Sequence, residues 1–227
     1  HGFAALLLTL LAFGSAATDA ATAEVQDAAG RRLTLDAPAR RIVALAPHIV
    51  ENLFAIGAGD RVVGAVAYSD YPEAAGDIER VGGVTGLSVE RIVALQPDLV
   101  VAWQSGTRAA ILAVLDRLEI PYYVDEIRSL AALSRSLRHL GTLTGQRTEA
   151  KAQARRVDRL SEGSSDAPST HSPGLFIQIW DDPLQSIGRR HLLTEVIARC
   201  GGRSITSQLP GLAPQVSLEA VLSADPA

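Results

Sequence analysis

The stretch LSVERIVALQPDLVVAW, Leu87 to Trp103, decides the fold class because a short helix leads directly into a strand. Ser88 is a typical helix N-cap, Glu90 falls in the predicted first turn, and Pro97 lies just past the predicted end. The run DLVVAW then places apolar residues on both faces of a strand. Such strands are typical of the centre of a parallel sheet. The stretch therefore predicts an α/β fold.

The same alternation of strand and helix continues on both sides of this stretch. It follows a polar leader over 24–39. Strands are predicted over 41–47, 61–67 and 121–126, and helices over 48–59, 107–120 and 129–145. Strands that alternate with helices favour a parallel sheet covered by helices. Residues 24–145 are therefore predicted to form an N-terminal α/β lobe.

The character of the chain changes after Gly145. Residues 146–163 are rich in Ala, Arg, Glu and Gln, which favour helix, and their apolar stripe is thin. A Ser- and Pro-containing segment follows, and then a predicted strand, Leu175–Trp180, and a predicted helix, His191–Gly202. We predict a connecting helix over 146–165 and a C-terminal α/β lobe over 166–227. The molecule would then have two lobes, each with a central parallel sheet flanked by helices.

Two short segments repeat between the predicted lobes. Ser88–Asp98 and Ser217–Pro226 share a Ser cap, a Glu two positions later, an apolar helix face and an Asp beside a Pro. The first copy leads into a strand, whereas only Ala227 follows the second. A lobe with so few elements would bury little core. We therefore expect the C-terminal lobe to be incomplete in this chain.

The first residues have the pattern of an export signal. Phe3–Phe13 is apolar and uncharged but too short to span a bilayer, and Ala21-Thr22-Ala23 resembles a cleavage site. We predict a partial signal peptide over 1–23 and a periplasmic location. Cys200 is the only cysteine in the sequence, so we expect neither an internal disulfide nor a lipid anchor.

Composition and motifs narrow the function classes. The 227 residues are 47% hydrophobic and carry a formal net charge of −4, which argues against a nucleic-acid partner. Gly57-Ala58-Gly59 closes a predicted helix instead of opening one, so it does not fit a dinucleotide-binding loop. Asp181 and Asp182 could suggest a hydrolase that uses two carboxylates. They are adjacent, however, so in a strand they would point to opposite faces, which argues against that function. We expect no catalytic residues and no enzyme, with an enzyme on an α/β fold as the alternative.

Aromatic residues stand where predicted strands end. Tyr68 and Trp103 are predicted at the carboxyl ends of strands, where open α/β sheets bind ligands. Trp103 could line a cleft or merely cover the edge of the sheet. His48 could contact a metal centre or a ligand amide, or it could serve only as a hydrogen-bond partner at a helix start. No His, Asp or Glu accompanies it at zinc spacing, so we predict no protein metal site. Trp180 is predicted to line the cleft from the second lobe.

Three segments resemble the periplasmic substrate-binding proteins that feed ABC importers of cobalamin: residues 46–72, with the motif YSDYP, 87–103, with ERIVAL, and 214–222, with PQVSLEAVL. The resemblance runs from Arg41 to the last residue. It implies the helical-backbone (class III) architecture, in which one long helix joins two α/β lobes and the ligand binds between them. It also implies a monomer that carries cobalamin as cargo, without a cofactor, to a permease and its ATPase. Haem or an iron-siderophore is the alternative ligand.

The same resemblance implies roles for particular residues. Tyr68 and Trp103 match residues that line the corrinoid cleft of the family. Glu90 and Glu219 match two surface glutamates, one on each lobe, that dock on arginines of the permease. A glutamate in a first helical turn is also stabilised by the helix dipole whatever its function. Val84 and Ala213 depart from the family, because a well-known member has cleft tryptophans there.

Overall fold

The computed structural model describes residues 22–83, 86–162 and 172–227. Most of the predicted signal peptide, 1–21, lies outside the described residues, and so does Val84. Ala23, the last residue of the predicted signal peptide, is the first residue of a strand and is 1% exposed. Ala23 is therefore part of the folded core.

Strands and helices alternate through most of the described chain. The strands are β1 (Ala23–Gln26), β2 (Arg32–Leu35), β3 (Ile42–Ala44), β4 (Val62–Val66), β5 (Arg80–Gly83), β6 (Gly86–Leu87), β7 (Leu99–Trp103), β8 (Tyr122–Asp125), β9 (Gly174–Leu175), β10 (Gln178–Asp181), β11 (Leu184–Ser186) and β12 (Arg203–Ser204). The helices are α1 (Pro47–Ala55), α2 (Val89–Ala94), α3 (Ala109–Arg117), α4 (Leu130–Thr144), α5 (Arg147–Glu162), α6 (Leu192–Arg199) and α7 (Leu218–Ser223). None of these helices combines the length and apolar character that a membrane crossing requires.

A six-stranded sheet forms the centre of the N-terminal lobe. Its order is β6-β5-β4-β3-β7-β8, and every neighbouring pair except β5 and β6 is parallel. The residues of β3 are all buried, and so are those of β7 from Leu99 to Ala102. The prediction of an α/β fold with a central parallel sheet is therefore confirmed for this lobe.

Helices cover both faces of this sheet. Consecutive residues of a strand point to opposite faces, so the buried middle strands feed two separate cores. Ile42 and Leu99 pack with the apolar residues of α1 and α4 on one face. Val43 and Val100 pack on the other face with Ile92 of α2 and with residues of α3. The sheet is thus the middle layer of three, so its faces are covered and a ligand could reach it only at the ends of the strands.

The structure corrects the polar leader expected over 24–39, because β1 and β2 form an antiparallel hairpin there. Ala23 and Val25 of β1 are buried, and Glu24 and Gln26 are exposed. The Asp27 carboxylate accepts hydrogen bonds from the backbone N–H groups of Ala29 (3.0 Å) and Arg31 (2.8 Å), which fixes the turn. The alternation is only two periods long, so it was too short to indicate a strand.

The connecting helix is α5, which packs along α4. Gly145 ends α4 in the left-handed conformation, with φ +72°, and the chain turns there. Ala150 and Ala154 are the buried residues of α5. A Cβ at Gly141 would lie 2.2 Å from the Cβ of Ala150, so glycine lets the two helices approach closely. The helix predicted over 146–165 is observed from Arg147 to Glu162, and residues 163–171 are outside the described part of the chain.

The C-terminal segment contains smaller elements. β9 pairs with β12 in parallel, and β10 pairs with β11 as an antiparallel hairpin. The strand predicted over Leu175–Trp180 is therefore divided, because β9 ends at Leu175 and the chain turns back through the hairpin. Its large buried apolar side chains in the described residues are Ile187 and Val221. This part of the chain thus has a much smaller core than the first lobe.

Candidate functional site

The strand order reverses at β3. The chain builds β4 and β5 on one side of β3 and then returns to build β7 and β8 on the other. The loops that follow β3 and β7 therefore diverge, which leaves a crevice at the carboxyl edge of the sheet, the usual place for ligands in open α/β sheets. His48 at the start of α1, Tyr68 after β4 and Trp103 at the end of β7 all lie at this edge. The structure thus brings these three predicted residues to one edge.

A groove of about 210 Å³ opens in this crevice. It is lined mainly by apolar groups: Leu45, Ala46, Pro47, Val66, Ala67, Tyr68, Gly83, Leu87, Trp103 and Gly106. Tyr68 and Trp103 line the groove directly, whereas His48 is outside its lining. Ligand pockets commonly measure about 300–1,000 Å³. The groove is therefore too small to enclose a large ligand by itself.

Tyr68 is an exposed aromatic residue on a fixed loop. Tyr68 is 75% exposed, and its φ of +64° lies in the left-handed region, which residues other than glycine seldom adopt. The guanidinium of Arg80 holds this loop in place, because it donates hydrogen bonds to the carbonyls of Ser69 (2.9 Å) and Ala75 (3.1 Å). Strained residues that the surroundings hold in place concentrate at ligand sites. The Tyr68 ring is therefore held out beside the groove.

Trp103 is half-buried and stands against His48. The two rings meet edge to face, with centroids 5.7 Å apart and an interplanar angle of 87°. Burial lowers the pKa of His48, and the nearby charge of Glu126 raises it by a smaller amount. The His48 Nε2 atom is buried and has no hydrogen-bond partner among the described residues. His48 is thus a neutral imidazole near pH 7 that supports the Trp103 ring.

Glu126 was not predicted as a site residue, although it directly follows β8 at the same edge of the sheet. Its side chain is 8% exposed and accepts hydrogen bonds from the backbone N–H of Ser105 (2.9 Å) and from Arg128 Nε (2.9 Å). The predicted strand 121–126 ended on this residue, so the rule that ligands bind at strand ends could have identified it.

Trp180 is separate from these residues. It lies on β10, is 56% exposed, and its indole N–H donates to the carbonyl of Asp182 (3.0 Å). It is not among the residues that line the groove. Its prediction as the opposite wall of the cleft therefore stays a prediction.

Glu90 and Glu219 have the same local geometry in the two halves of the chain. Each stands in the first turn of a short helix, α2 or α7, one residue after the first. The Ser88 hydroxyl accepts from the N–H of Arg91, and the Ser217 hydroxyl accepts from the corresponding N–H in α7, both at 3.2 Å. Hydrogen bonds from the glutamate's own N–H and from the serine lower the pKa of both carboxyls. Both are exposed anions that do not line the groove.

A larger cavity, about 450 Å³, lies between the β1–β2 hairpin, β8 and α4. Its lining is polar, and its side chains already bond to one another. The Tyr123 hydroxyl lies 3.0 Å from His139 Nδ1, and the Ser136 hydroxyl donates to Asp125 Oδ2 (2.8 Å). Across the described ranges, no group of three or more His, Cys, Asp or Glu side chains is placed to hold a metal ion.

An aromatic-walled groove at the switch point of a parallel sheet, in a lobe that ends in a long helix, defines a small-molecule binding protein of α/β type. The periplasmic binding protein family model matches residues 42–227. The chain belongs to this family.

Relatives within the family are named for their ligands. A vitamin B12-binding protein of Vibrio campbellii is 34% identical over 194 residues, which are 83% of this chain and 69% of the relative. The crystal structure of the periplasmic vitamin B12-binding protein of Vibrio cholerae is 31% identical and has a TM-score of 0.72, covering 83% of this chain and 74% of that one. A periplasmic haem-binding protein from Roseiflexus is 26% identical, with a TM-score of 0.71 over 82% and 74% of the two chains.

Proposed function

We propose that the protein captures vitamin B12 or a related corrinoid in the periplasm and delivers it to an ABC transporter, without any chemical step. The observation that carries this proposal is the groove at the switch point, with Tyr68 and Trp103 as its aromatic walls. The names of the relatives support the ligand, and the family supports a binding role and a periplasmic location.

The chemistry of the groove suits a corrinoid. A corrin ring is flat, with an apolar body and amide side chains at its rim. Aromatic rings supply broad apolar area for such a ligand, and the phenol of Tyr68 and the indole N–H of Trp103 supply polar tips. Because the groove holds only part of such a ligand, the second lobe would supply the opposite wall, and Trp180 is our candidate residue for it.

Haem is the second candidate ligand, since a haem-binding relative has the same fold at 26% identity. A haem ring is also flat and would fit the same aromatic walls. The polar rim of the ligand distinguishes the two, because haem carries carboxylates where a corrinoid carries amides. The described groove lining contains no cationic side chain to pair with a carboxylate, which favours the corrinoid.

Calorimetric titration with vitamin B12 and, separately, with haem tests the proposal. The protein should bind vitamin B12 more tightly than haem. Trp103→Ala should weaken corrinoid binding by about 1–3 kcal/mol, the order expected for the loss of a large aromatic contact. Tyr71→Ala is the matched control, because Tyr71 is 69% exposed on the same loop as Tyr68 but does not line the groove.

A lower melting temperature for Trp103→Ala with unchanged affinity would show that Trp103 covers the sheet and does not line the site. Tighter binding of haem than of vitamin B12 would reassign the ligand. Incubation should leave vitamin B12 chemically unchanged, since a binding protein does not turn over its ligand, and a converted product would show an enzyme.

We further propose that Glu90 and Glu219 contact arginines of the permease. Both carboxylates are exposed, occupy equivalent positions in the two halves of the chain and lie outside the groove lining. The lowered pKa values keep both carboxylates ionised near neutral pH. Charge-assisted pairs of this kind orient a partner and raise the rate of association.

A further inference from the structure

We propose that Glu126 positions Trp103 in the binding groove by tying the loop that follows β7 to the loop that follows β8. The inference deepens the proposed function, because it rests on Trp103 being a wall of the ligand site. It gives Glu126 a positioning role, since the residue does not line the groove.

The first step is the bonding of the carboxylate. Glu126 Oε2 accepts from the backbone N–H of Ser105 (2.9 Å), and its two oxygens lie 3.0 and 2.9 Å from the Ser105 hydroxyl. Arg128 closes the arrangement, donating from Nε to Glu126 (2.9 Å) and from Nη2 to the Ser105 hydroxyl (3.1 Å). Hydrogen bonds to an ionised group are stronger than neutral ones. The side chains of Glu126, Ser105 and Arg128 thus form a closed network, which we call the Glu126 network.

The second step is the short distance from this network to Trp103. Ser105 is two residues after Trp103, and Gly106 packs on the indole so closely that a Cβ there would lie 2.0 Å from a ring carbon. The N–H of Thr107 donates to the Trp103 carbonyl (2.7 Å), and its hydroxyl accepts from the Trp103 N–H (3.1 Å). The loop therefore packs on the ring at Gly106 and is bonded to the Trp103 backbone at Thr107, so a shift of Ser105 moves atoms that fix the ring's orientation.

The third step separates positioning from general stability. Strands β7 and β8 already pair through four residue pairs, from Val100–Tyr122 to Trp103–Asp125. The Glu126 network lies beyond the last pair of that ladder, so its loss leaves the strand pairing intact. Glu126 also acts on His48, whose ring centroid lies 5.7 Å from that of Trp103, because the charge of Glu126 raises the pKa of His48.

Single-tryptophan fluorescence tests the inference in the ligand-free protein. The sequence contains two tryptophans, so Trp180→Phe leaves Trp103 as the only one. In that background, Glu126→Gln should raise the acrylamide quenching constant of Trp103 about twofold, because an amide cannot accept from every donor in the network. Asp158→Asn is the control, since it removes another carboxylate–arginine pair, with Arg138, that does not line the groove.

Affinity is measured separately, with Trp180 intact. Glu126→Gln should weaken binding of vitamin B12 about tenfold, Glu126→Asp should restore part of it, and Asp158→Asn should leave it unchanged. NMR titration gives a readout that a purely structural role would not move, because the His48 pKa should fall further in Glu126→Gln.

Unchanged quenching of Trp103 in Glu126→Gln would overturn the inference. So would equal changes of quenching in Glu126→Gln and in the Asp158→Asn control. If quenching changes as expected but the parent protein binds no vitamin B12, then Glu126 still positions Trp103 and only the proposed ligand is wrong.

Discussion

Asp125 is a buried carboxylic acid beside the binding edge. The residue is 2% exposed and pairs with Trp103 across the two neighbouring strands. Burial is the main cause that raises its pKa from 3.8 to about 6, and the charge of Glu126 adds to it. The Ser136 hydroxyl, the backbone N–H of Glu126 and the charge of Arg135 oppose the rise. A carboxyl with a raised pKa makes the folded protein less stable as the pH increases.

The stability of Asp125→Asn should differ from that of the parent in a pH-dependent way. Between pH 3.8 and about 6 the folded protein holds the Asp125 proton more tightly than the unfolded chain, so its unfolding free energy falls as pH rises. The asparagine cannot titrate. The unfolding free energy of Asp125→Asn minus that of the parent should therefore rise by up to about 3 kcal/mol between pH 4 and pH 7.

Urea denaturation of both proteins at a series of pH values measures this difference. Burial also lowers the pKa values of His48 and His139. The folded protein therefore loses stability as the pH falls through the range in which these histidines take up a proton. Both proteins contain these histidines, so their effect cancels in the difference. A difference that stays flat from pH 4 to pH 7 would show that the Asp125 carboxyl is solvated.

Among the helices and strands, α2 is the one whose sequence was most informative. The N-cap, the acidic first turn and the terminating proline all agree, and the Ser88 hydroxyl accepts from the N–H of Arg91 as a cap should. Its counterpart α7 has the same cap at Ser217 and the same buried fourth position, Val221. Local hydrogen bonds decide such helix ends, so short stretches of sequence contain the needed information.

Strands that depend on distant partners were harder to predict. The β1–β2 hairpin packs through Arg31, whose guanidinium lies 3.7 Å from the centre of the Tyr122 ring, a residue far away in sequence. The Glu126 network likewise joins two loops that only the sheet brings together. The sequence identified the strand-end residues Tyr68 and Trp103, but nothing in a local pattern connects Ser105 to Glu126.

The helix α6 joins the second lobe to two helices of the first part of the chain. Glu195 accepts from the N–H of Leu130 (2.9 Å) at the start of α4, where helix N–H groups lack internal partners. Arg199, one turn later, pairs with Glu195 (3.3 Å) and donates to the carbonyl of Ser161 (2.6 Å) near the end of α5. This pair of side chains thus bonds one N–H group at the start of α4 and one carbonyl near the end of α5.

Removing this pair should loosen both helix ends. Glu195→Ala should lower the unfolding free energy by about 1–2 kcal/mol, because a charge-assisted hydrogen bond at a helix N-terminus is lost. The amide of Leu130 should also exchange faster with deuterium. Glu51→Ala, an exposed change in the middle of α1, should stay within about 0.5 kcal/mol of the parent. Equal exchange of Leu130 in both variants would show that α6 does not hold α4.

The proposed docking role of Glu90 and Glu219 can be tested separately from ligand binding. Each follows a serine cap in one half of the chain, and the groove lies elsewhere, at the carboxyl edge of the sheet. A ligand bound in the groove would therefore not contact Glu90 or Glu219. A permease that contacted both lobes could pair with one carboxylate on each. If this arrangement works as proposed, transport and ligand affinity should respond differently to the same substitutions.

Charge reversal at both positions, Glu90→Arg with Glu219→Arg, should abolish uptake of vitamin B12 in vesicles that contain the transporter. Affinity for vitamin B12 in solution should stay within about 0.5 kcal/mol of the parent, as expected for exposed positions away from the site. The control reverses two other exposed acids, Glu119 and Glu149, which changes the net charge by the same amount at different places. If the control abolishes uptake as well, net charge rather than position decides docking. If the double reversal weakens ligand binding while association with the permease survives, the glutamates belong to the ligand site, because only a direct contact would link them to the cargo.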